Sequence, residues 1–269
     1  MWRKGAGFWL GTILALAFMF FFFRGADLAE MARAVAGANY YLMAPAVAAY
    51  FIGVWLRTVR WSFFLAPLGS FSARRLFSPV VIGFTINNIL PGKLGLVARA
   101  HMVGEREKIS KVASGTSIIV DQLFDGVALL FFVVVVSLFV SLPGWARGIA
   151  TVVSVFYFGL LGLLWLLVTF PEVARRIVNP VYRRLPPLWQ SKTGSWVELC
   201  LLGLHTLRSP GRIAVVFLLS ILVWLMESAM FYLIALAFDL NLSFYMVMLV
   251  VAIANMVLFI PSLPGGIGP

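Results

Sequence analysis

The chain has 269 residues, of which 62% are hydrophobic and 12% are charged, and its formal net charge is +11. Soluble domains are about 45–50% apolar and about 25% charged, so this composition excludes an ordinary soluble domain and indicates a polytopic membrane protein. Basic cytoplasmic loops account for the net charge better than nucleic-acid binding does. The single cysteine excludes an internal disulfide, and the two histidines, His101 and His205, match no metal-ligand spacing.

The apolar segments predict the architecture, because a helix needs about 20 apolar residues to cross a bilayer. The first apolar run is a retained span rather than a secretory signal, since Phe20–Arg24 offers no small-residue cleavage site. Two shorter segments, roughly 78–97 and 244–269, end in Pro/Gly breaks and are predicted to be re-entrant. The predicted full spans are roughly 7–23, 40–56, 114–140, 147–170 and 212–237.

The loop charges predict the topology. Arg3 and Lys4 place the N-terminus in the cytoplasm, and the loops 99–111 and 171–212 are basic and therefore cytoplasmic as well. The positive-inside rule agrees with every loop only when segment 78–97 enters and leaves on the cytoplasmic side. The basic residues assigned to the loop after the second span are Arg57, Arg60, Arg74 and Arg75.

The two broken segments resemble each other. Each has an apolar lead, an asparagine, a Leu-Pro-Gly sequence and a further glycine, within Asn88–Gly95 and Asn255–Gly266. Three spans separate them, so the second segment enters from the opposite side. A matched pair of interrupted segments in two halves of opposite orientation is typical of inverted-repeat transporters.

We therefore predict an all-α helical bundle with two broken segments and an inverted repeat, forming one transmembrane domain over residues 1–269. The first repeat covers about 1–140 and the second about 147–269, with a cytoplasmic linker at about 171–212. From Ser191 the linker is an amphipathic helix that lies in the membrane interface or packs under the bundle. Because the chain ends inside a predicted element, we expect the second repeat to be truncated.

Ionisable and amide side chains inside apolar segments are candidate binding residues, because they are costly in a membrane. Asp121 and Asp125 lie one helical turn apart, and they either hold Lys93 or Arg99 beside a head-group cavity, carry a proton, or anchor the broken segment. Glu227 either pairs across the bundle or is a protonatable coupling site. The predicted substrate-binding residues are Asn87, Asn88, Lys93, Arg99, Asp121, Asp125, Glu227, Asn255, Gly265 and Gly266.

The residues around the first break have two interpretations each. Lys93 either binds a phosphate beside freed backbone N–H groups or extends to the cytoplasmic interface. Asn87 and Asn88 either satisfy broken backbone groups or contact a head group, and Arg99 is either a ligand or a topology determinant. The sequence carries no nucleophile elbow, P-loop, metal cluster or dinucleotide fingerprint, so it predicts neither an enzyme nor a cofactor or metal site.

Three motifs carry a family resemblance. They are Asn88-Ile89-Leu90-Pro91 with Gly95 and Arg99, Val120-Asp121-Gln122-Leu123-Phe124-Asp125-Gly126, and Pro264-Gly265-Gly266-Ile267-Gly268. With these motifs in order, the sequence resembles the transmembrane region of lysylphosphatidylglycerol synthases and their stand-alone, flippase-like relatives. The family pattern has an acidic residue where this chain has Leu96, and Glu-Arg where it has Asp121-Gln122.

The resemblance implies a lipid-handling membrane domain that moves amphipathic lipids or lipid-linked sugars between leaflets. The aminoacyl transfer of the synthases belongs to a separate soluble domain, for which the 269 residues hold no sequence. The predicted function is thus translocation of an anionic amphipathic lipid, either a phospholipid or a polyprenyl-phosphate-linked glycan, in the bacterial cytoplasmic membrane.

Two alternative functions remain open at the level of sequence. A module that scaffolds or presents lipid to a partner enzyme predicts paired acidic residues and a closed cavity. A membrane-embedded transferase predicts carboxylates that are open to the bilayer. The expected partners are membrane lipids, with a lipid-modifying enzyme or a second copy of the chain as further options, and no nucleic acid.

Overall fold

The computed structural model describes residues 27–89, 93–139, 144–170 and 204–257, together with residues 20, 24, 172, 199 and 202. Every regular element within these residues is helical. Short 3-10 turns lie at Tyr40–Leu42, Ala66–Leu68 and His205–Arg208. The α-helices are α1 (Leu28–Gly37), α2 (Met43–Leu65), α3 (Ala73–Ile89), α4 (Leu94–Arg106), α5 (Lys111–Ser137), α6 (Gly144–Thr169), α7 (Pro210–Ala237) and α8 (Phe244–Val257).

Three of these helices are long and apolar enough to cross a membrane, namely α2 with its flanking turns, α5 and α7. Shorter apolar stretches lie within α6, at Ser154–Leu167, and α8, at Phe244–Met256. These helices confirm the predicted all-α membrane class. The predicted span at 7–23, apart from residue 20, and the second Pro/Gly break lie outside the described residues.

Helix α2 is longer than the sequence predicts, and this changes the position of two arginines. It continues past residue 56 to Leu65, so Arg57 and Arg60 lie in the helix and are buried. Their assignment to a cytoplasmic loop is therefore wrong. The helix continues because apolar residues follow the arginines and because carboxylates from other helices neutralise the two charges. The buried stripe runs through Ala46, Ala49, Gly53, Arg57, Arg60 and Phe64.

Helices α2 and α7 pack antiparallel and form the frame of the bundle. At one end the Asn39 N–H donates to the Ala237 carbonyl at 2.8 Å, and at the other end the Thr206 hydroxyl donates to the Phe63 carbonyl at 3.1 Å. Between them, Gly53 allows close approach, since a Cβ there would lie 3.5 Å from the Cβ of Met226. Small residues serve this purpose in membrane bundles, where lipid offers no hydrophobic gain from helix association.

Helices α3 and α4 form a tight hairpin. Lys93 lies directly before α4 and has a left-handed φ of 54°. Gly83 and Gly95 let the two helices touch, because a Cβ on Gly95 would collide with the Gly83 carbonyl oxygen. The Asn87 side-chain oxygen accepts the Gly95 N–H at 2.8 Å, which confirms that this asparagine satisfies a backbone group at the break.

The start of α3 and the end of α4 lie close together at the base of the hairpin. The Arg106 guanidinium donates to the Arg75 carbonyl at 3.4 Å, and Glu107 lies 3.8 Å from the Arg75 guanidinium. The hairpin therefore starts and ends on one side of the bundle, as a re-entrant segment does. Its depth in a bilayer and the inverted repeat stay predictions.

Helix α5 runs through the centre of the bundle and contacts α2, α4, α6, α7 and α8. Gly126 on α5 receives the Tyr157 ring of α6, which occupies the place that a Cβ would take. The end of the linker packs against this core as well, since Leu204 and Leu207 are buried in it. Of the two predicted positions, the membrane interface or packing under the bundle, this part of the linker therefore has the second. The predicted amphipathic helix before it lies almost entirely outside the described residues.

Candidate functional site

Six charged side chains from four helices meet inside the bundle. Three are arginines and three are carboxylates, so their formal charges cancel. Charges removed from water are costly unless they are paired and hydrogen-bonded, and here each one has an oppositely charged partner within 3.4 Å. They are Arg57 and Arg60 on α2, Arg99 on α4, Asp121 and Asp125 on α5, and Glu227 on α7.

Arg60 is the centre of this charge cluster and is 0% exposed. Its Nε donates to Asp121 Oδ1 at 2.8 Å. Its Nη1 donates to Asp125 Oδ1 and to the Ser220 hydroxyl, each at 2.8 Å. Because charge-assisted bonds of this length are strong, Arg60 ties α2 to α5 and α7.

Arg99 holds the hairpin against the bundle. Its two terminal nitrogens lie 3.3 Å from Asp121 Oδ2, and its guanidinium lies over the Trp61 ring, 3.7 Å from the centroid. The Trp61 indole N–H in turn donates to the Ser117 hydroxyl at 3.1 Å. Asp121 thus anchors the broken segment, which is one of the roles predicted for it.

Asp125 has two short bonds and two long ones. Its Oδ1 accepts from Arg60 and from the Trp224 indole N–H at 3.0 Å. Its Oδ2 lies 3.4 Å from both Arg57 Nη1 and Gln122 Nε2. The carboxylate is therefore neutralised chiefly by Arg60, and Arg57 contributes through a long contact.

Arg57 pairs with Glu227 across the α2–α7 interface. Its Nη2 donates to Glu227 Oε2 at 2.8 Å. The guanidinium also lies over two rings, 4.7 Å from the Trp224 centroid and 5.6 Å from the Phe84 centroid. The predicted pairing of Glu227 with a basic residue is confirmed. The Glu227 side chain is 25% exposed.

A cavity of about 310 Å³ lies against this charge cluster. Its inner wall includes the buried side chains of Arg57 and Asp125. Its rim includes Tyr50, Asn88 and Lys93, which are exposed. The cavity therefore connects a buried ion-pair network with the surface of the bundle.

The structure brings most of the predicted site residues to this cavity. Arg99 and Asp121 do not line it, since they are buried in the charge cluster. Gly265 and Gly266 lie outside the described residues. The predicted residues that line the cavity are Asn87, Asn88, Lys93, Asp125, Glu227 and Asn255.

The two predicted broken segments reach the same cavity. Asn88 stands near the end of α3 and Asn255 near the end of α8, and both line the cavity wall. The amide nitrogen of Asn255 donates to the Val251 carbonyl one turn earlier at 2.9 Å. This is the juxtaposition that an inverted repeat with two central breaks would give.

Sequence reasoning missed Arg57 and Arg60 as site residues. Three acidic residues inside apolar segments require counter-ions, which indicates buried basic residues without identifying them. The arginines closest to an apolar run lie at i+4 and i+7 from Gly53, on the face of α2 that carries its small residues. Among the described residues, no group of three or more His, Cys, Asp or Glu side chains could hold a metal ion.

Together these features define an all-helical membrane protein with a charged, partly open cavity inside its bundle. The family model for the lysylphosphatidylglycerol synthase transmembrane region matches residues 8–269. The chain therefore belongs to this family, as the three sequence motifs predict.

Two curated relatives come from the archaeon Methanothermobacter thermautotrophicus, and both are described as UPF0104 membrane proteins. One is 26% identical over 284 residues, which cover 100% of this chain and 83% of the relative. The other is 25% identical over 249 residues, which cover 88% of this chain and 72% of the relative. No solved structure matches the chain.

Proposed function

We propose that this chain translocates an anionic amphipathic lipid between membrane leaflets, with the lipid head group in the cavity. The substrate is a phospholipid or a polyprenyl-phosphate-linked glycan, since both carry phosphate on a long apolar tail. The observation that supports the proposal is a polar cavity inside a helical membrane bundle, with two cations (Arg57, Lys93) and two carboxylates (Asp125, Glu227) on its wall. Membership of the lysylphosphatidylglycerol synthase transmembrane-region family agrees with a lipid substrate.

The size and walls of the cavity suit a head group. Its volume of about 310 Å³ is at the lower end for ligand pockets, so the acyl chains would remain in the surrounding bilayer. Val54, Phe84 and Leu96 supply apolar wall, while Arg57 and Lys93 supply positive charge. Arginine and lysine are the side chains that most often bind phosphate oxygens.

The scaffold alternative keeps one observation in its favour, since all three carboxylates of the cluster are ion-paired. The accessible cavity counts against it, because a scaffold predicts a closed one. The transferase alternative is weaker, since Asp121 and Asp125 are each 2% exposed and hydrogen-bonded to arginine. Neither is therefore open to the bilayer as a general base.

Translocation can be tested in proteoliposomes with head-group-labelled phosphatidylglycerol, following loss of inner-leaflet label to an external quencher. The variant is Lys93→Gln, which removes the cation at the cavity rim. Its matched control is Lys108→Gln, because both lysines are exposed, lie outside the helices and have φ of 54°. We expect wild type and Lys108→Gln to move lipid at equal rates and Lys93→Gln to be slower by about ten-fold, the effect of losing roughly 1.4 kcal/mol.

The outcomes separate the alternatives. Equal loss in both lysine variants would indicate a general charge effect and would remove Lys93 from the site. Binding of labelled lipid by wild type without movement above empty liposomes would favour the scaffold.

Placement in a bacterial cytoplasmic membrane with a cytoplasmic N-terminus stays part of the proposal. The curated relatives are archaeal membrane proteins, so they support a membrane location in general. A lipid-modifying enzyme and a second copy of the chain are the proposed protein partners.

A further inference from the structure

Arg57 differs from Arg60 in how firmly it is held, and it differs from Arg99 in lining the cavity. Arg60 is fully buried, with bonds of 2.8 Å to Asp121 and Asp125. Arg57 has one short bond, to Glu227, and its contact with Asp125 is 3.4 Å. Arg57 is therefore the one guanidinium of the charge cluster that a ligand in the cavity can reach, and a single short bond holds it.

Glu227, the short-range partner of Arg57, lies beside open space into which its carboxylate can move. Glu227 lines the cavity, and its side chain is 25% exposed, against 3% for Asp125. A carboxylate beside accessible space can be solvated there when its partner is taken. Asp125 has no such freedom, because Arg60 and Trp224 hold its Oδ1.

Two aromatic rings lie within cation–π distance of the Arg57 guanidinium and are independent of its contact with Glu227. Trp224 and Phe84 lie on the guanidinium at 4.7 and 5.6 Å from their centroids. A guanidinium held in this way presents a planar fork that matches two oxygens of a phosphate. An incoming anion would thus find the donor already oriented and would replace one carboxylate.

We propose that Arg57 is the phosphate-binding residue of this site and that Glu227 is its internal counter-ion, which a phosphate oxyanion displaces. The inference deepens the proposed function, on which it rests for the identity of the ligand as a lipid head group. It also assigns Glu227 a role opposite to that of a substrate ligand, because this carboxylate competes with the substrate for Arg57.

The proposal predicts an uncommon result, namely that a substitution in the site increases the affinity for phosphate. Removing the charge of Glu227 removes the competitor, so Glu227→Gln is expected to bind phosphate about five-fold more tightly or better, the lower end of ordinary coupling effects. Arg57→Gln is expected to bind at least about ten-fold more weakly, since it loses the donor fork. Glu105→Gln is the matched control, because it removes an exposed carboxylate paired with Lys111 on the surface.

The experiment is isothermal titration of the purified full chain in detergent with dihexanoyl-phosphatidylglycerol below its micelle concentration, and separately with inorganic phosphate. The expected result is the order Glu227→Gln tightest, wild type and Glu105→Gln equal, Arg57→Gln weakest. Glu227→Gln binding no tighter than Glu105→Gln would overturn the proposal. Failure of the wild-type protein to bind either probe would also overturn the proposal. Binding of inorganic phosphate as tightly as the lipid would show that the ligand is not the lipid head group.

Two further measurements keep the outcome clear. If thermal unfolding shows that Arg57→Gln is misfolded, Arg57→Lys replaces it, because lysine keeps the charge and loses the planar fork; unchanged affinity in Arg57→Lys would overturn the proposal. If wild type scrambles lipid and Glu227→Gln does not bind more tightly, the proposed translocation is retained, and the proposed displacement of Glu227 from Arg57 is wrong. Tighter binding without scrambling would support the displacement and remove translocation.

Discussion

Arg60 is the residue on which the charge cluster depends. Replacing it with methionine would leave Asp121 without its shortest partner and Asp125 with only Trp224 at short range. Breaking a buried ion pair by removing one partner typically costs about 3–5 kcal/mol. We expect Arg60→Met to lower the unfolding temperature strongly, measured by thermal unfolding in detergent.

The control for this prediction is Arg75→Met. Arg75 lies at the base of the hairpin with a 67% exposed side chain, 3.8 Å from Glu107. Exposed pairs of this kind are worth about 0–1 kcal/mol, so its unfolding temperature should remain close to that of wild type. Equal losses in the two variants would contradict the central role of Arg60.

Four of the six residues of the charge cluster, including Arg99, could be predicted at the residue scale. Asp121, Asp125 and Glu227 stood out because acidic residues are rare in apolar helices, and the pairing of Asp121 with Arg99 was among the predicted alternatives. Arg57 and Arg60 were not found, because a basic residue next to an apolar run also marks an ordinary cytoplasmic boundary. Only the three-dimensional position of the carboxylates distinguishes the two cases.

At the scale of elements, the hairpin of α3 and α4 depends on the contact between two glycines. Gly95→Ala would drive a methyl group into the Gly83 carbonyl, and overpacking of this kind typically costs about 1–3 kcal/mol. The hairpin would open or shift, and the Asn87 bond to the Gly95 N–H would be lost with it. We expect a lower unfolding temperature in detergent.

Gly162→Ala is the matched control, since Gly162 lies within α6 and a Cβ there would meet nothing within 4 Å. Replacing such a helical glycine is neutral or stabilises by about 0.4–1 kcal/mol. A Gly95→Ala protein as stable as Gly162→Ala would contradict the close approach of the two helices.

The hairpin also shows which element features follow from sequence. The interruption between α3 and α4 was predictable, because Pro91 and Gly92 stop a helix through local geometry. The end of α2 was not, because its continuation through two charges depends on partners in other helices. Local breaks are thus visible in sequence, while helix length through charged residues is a tertiary property.

At the scale of the whole molecule, the site is determined by which helices pack against each other. The sequence alone does not predict this packing. Hydropathy marks which helices are apolar, and lipid-facing and buried residues are equally apolar in a membrane protein. The cavity exists because α2, α5, α7 and α8 bring polar side chains to the tip of the hairpin. Small residues such as Gly53 indicate that a helix packs closely, without indicating against which neighbour.

The depth of the hairpin gives the last prediction. Helix α3 has 17 residues and α4 has 13, which correspond to lengths of about 26 Å and 20 Å against a hydrocarbon core of about 30 Å. Both helices, as far as they are described, are shorter than this core, and the hairpin tip lines a cavity together with Arg57 and Glu227. The tip should therefore remain inside the membrane and never reach the opposite surface.

Single cysteines in a Cys200→Ser background can test this with a membrane-impermeant maleimide. The positions are Lys108 beyond the hairpin base, Ile89 at its tip and Asn241 between α7 and α8, all of them exposed. We expect Asn241→Cys to react in intact cells, Lys108→Cys only in inside-out vesicles, and Ile89→Cys not at all from the side of Asn241. Equal reaction of Ile89→Cys and Asn241→Cys in intact cells would mean that the hairpin crosses, and the re-entrant topology together with the inverted repeat would then be wrong.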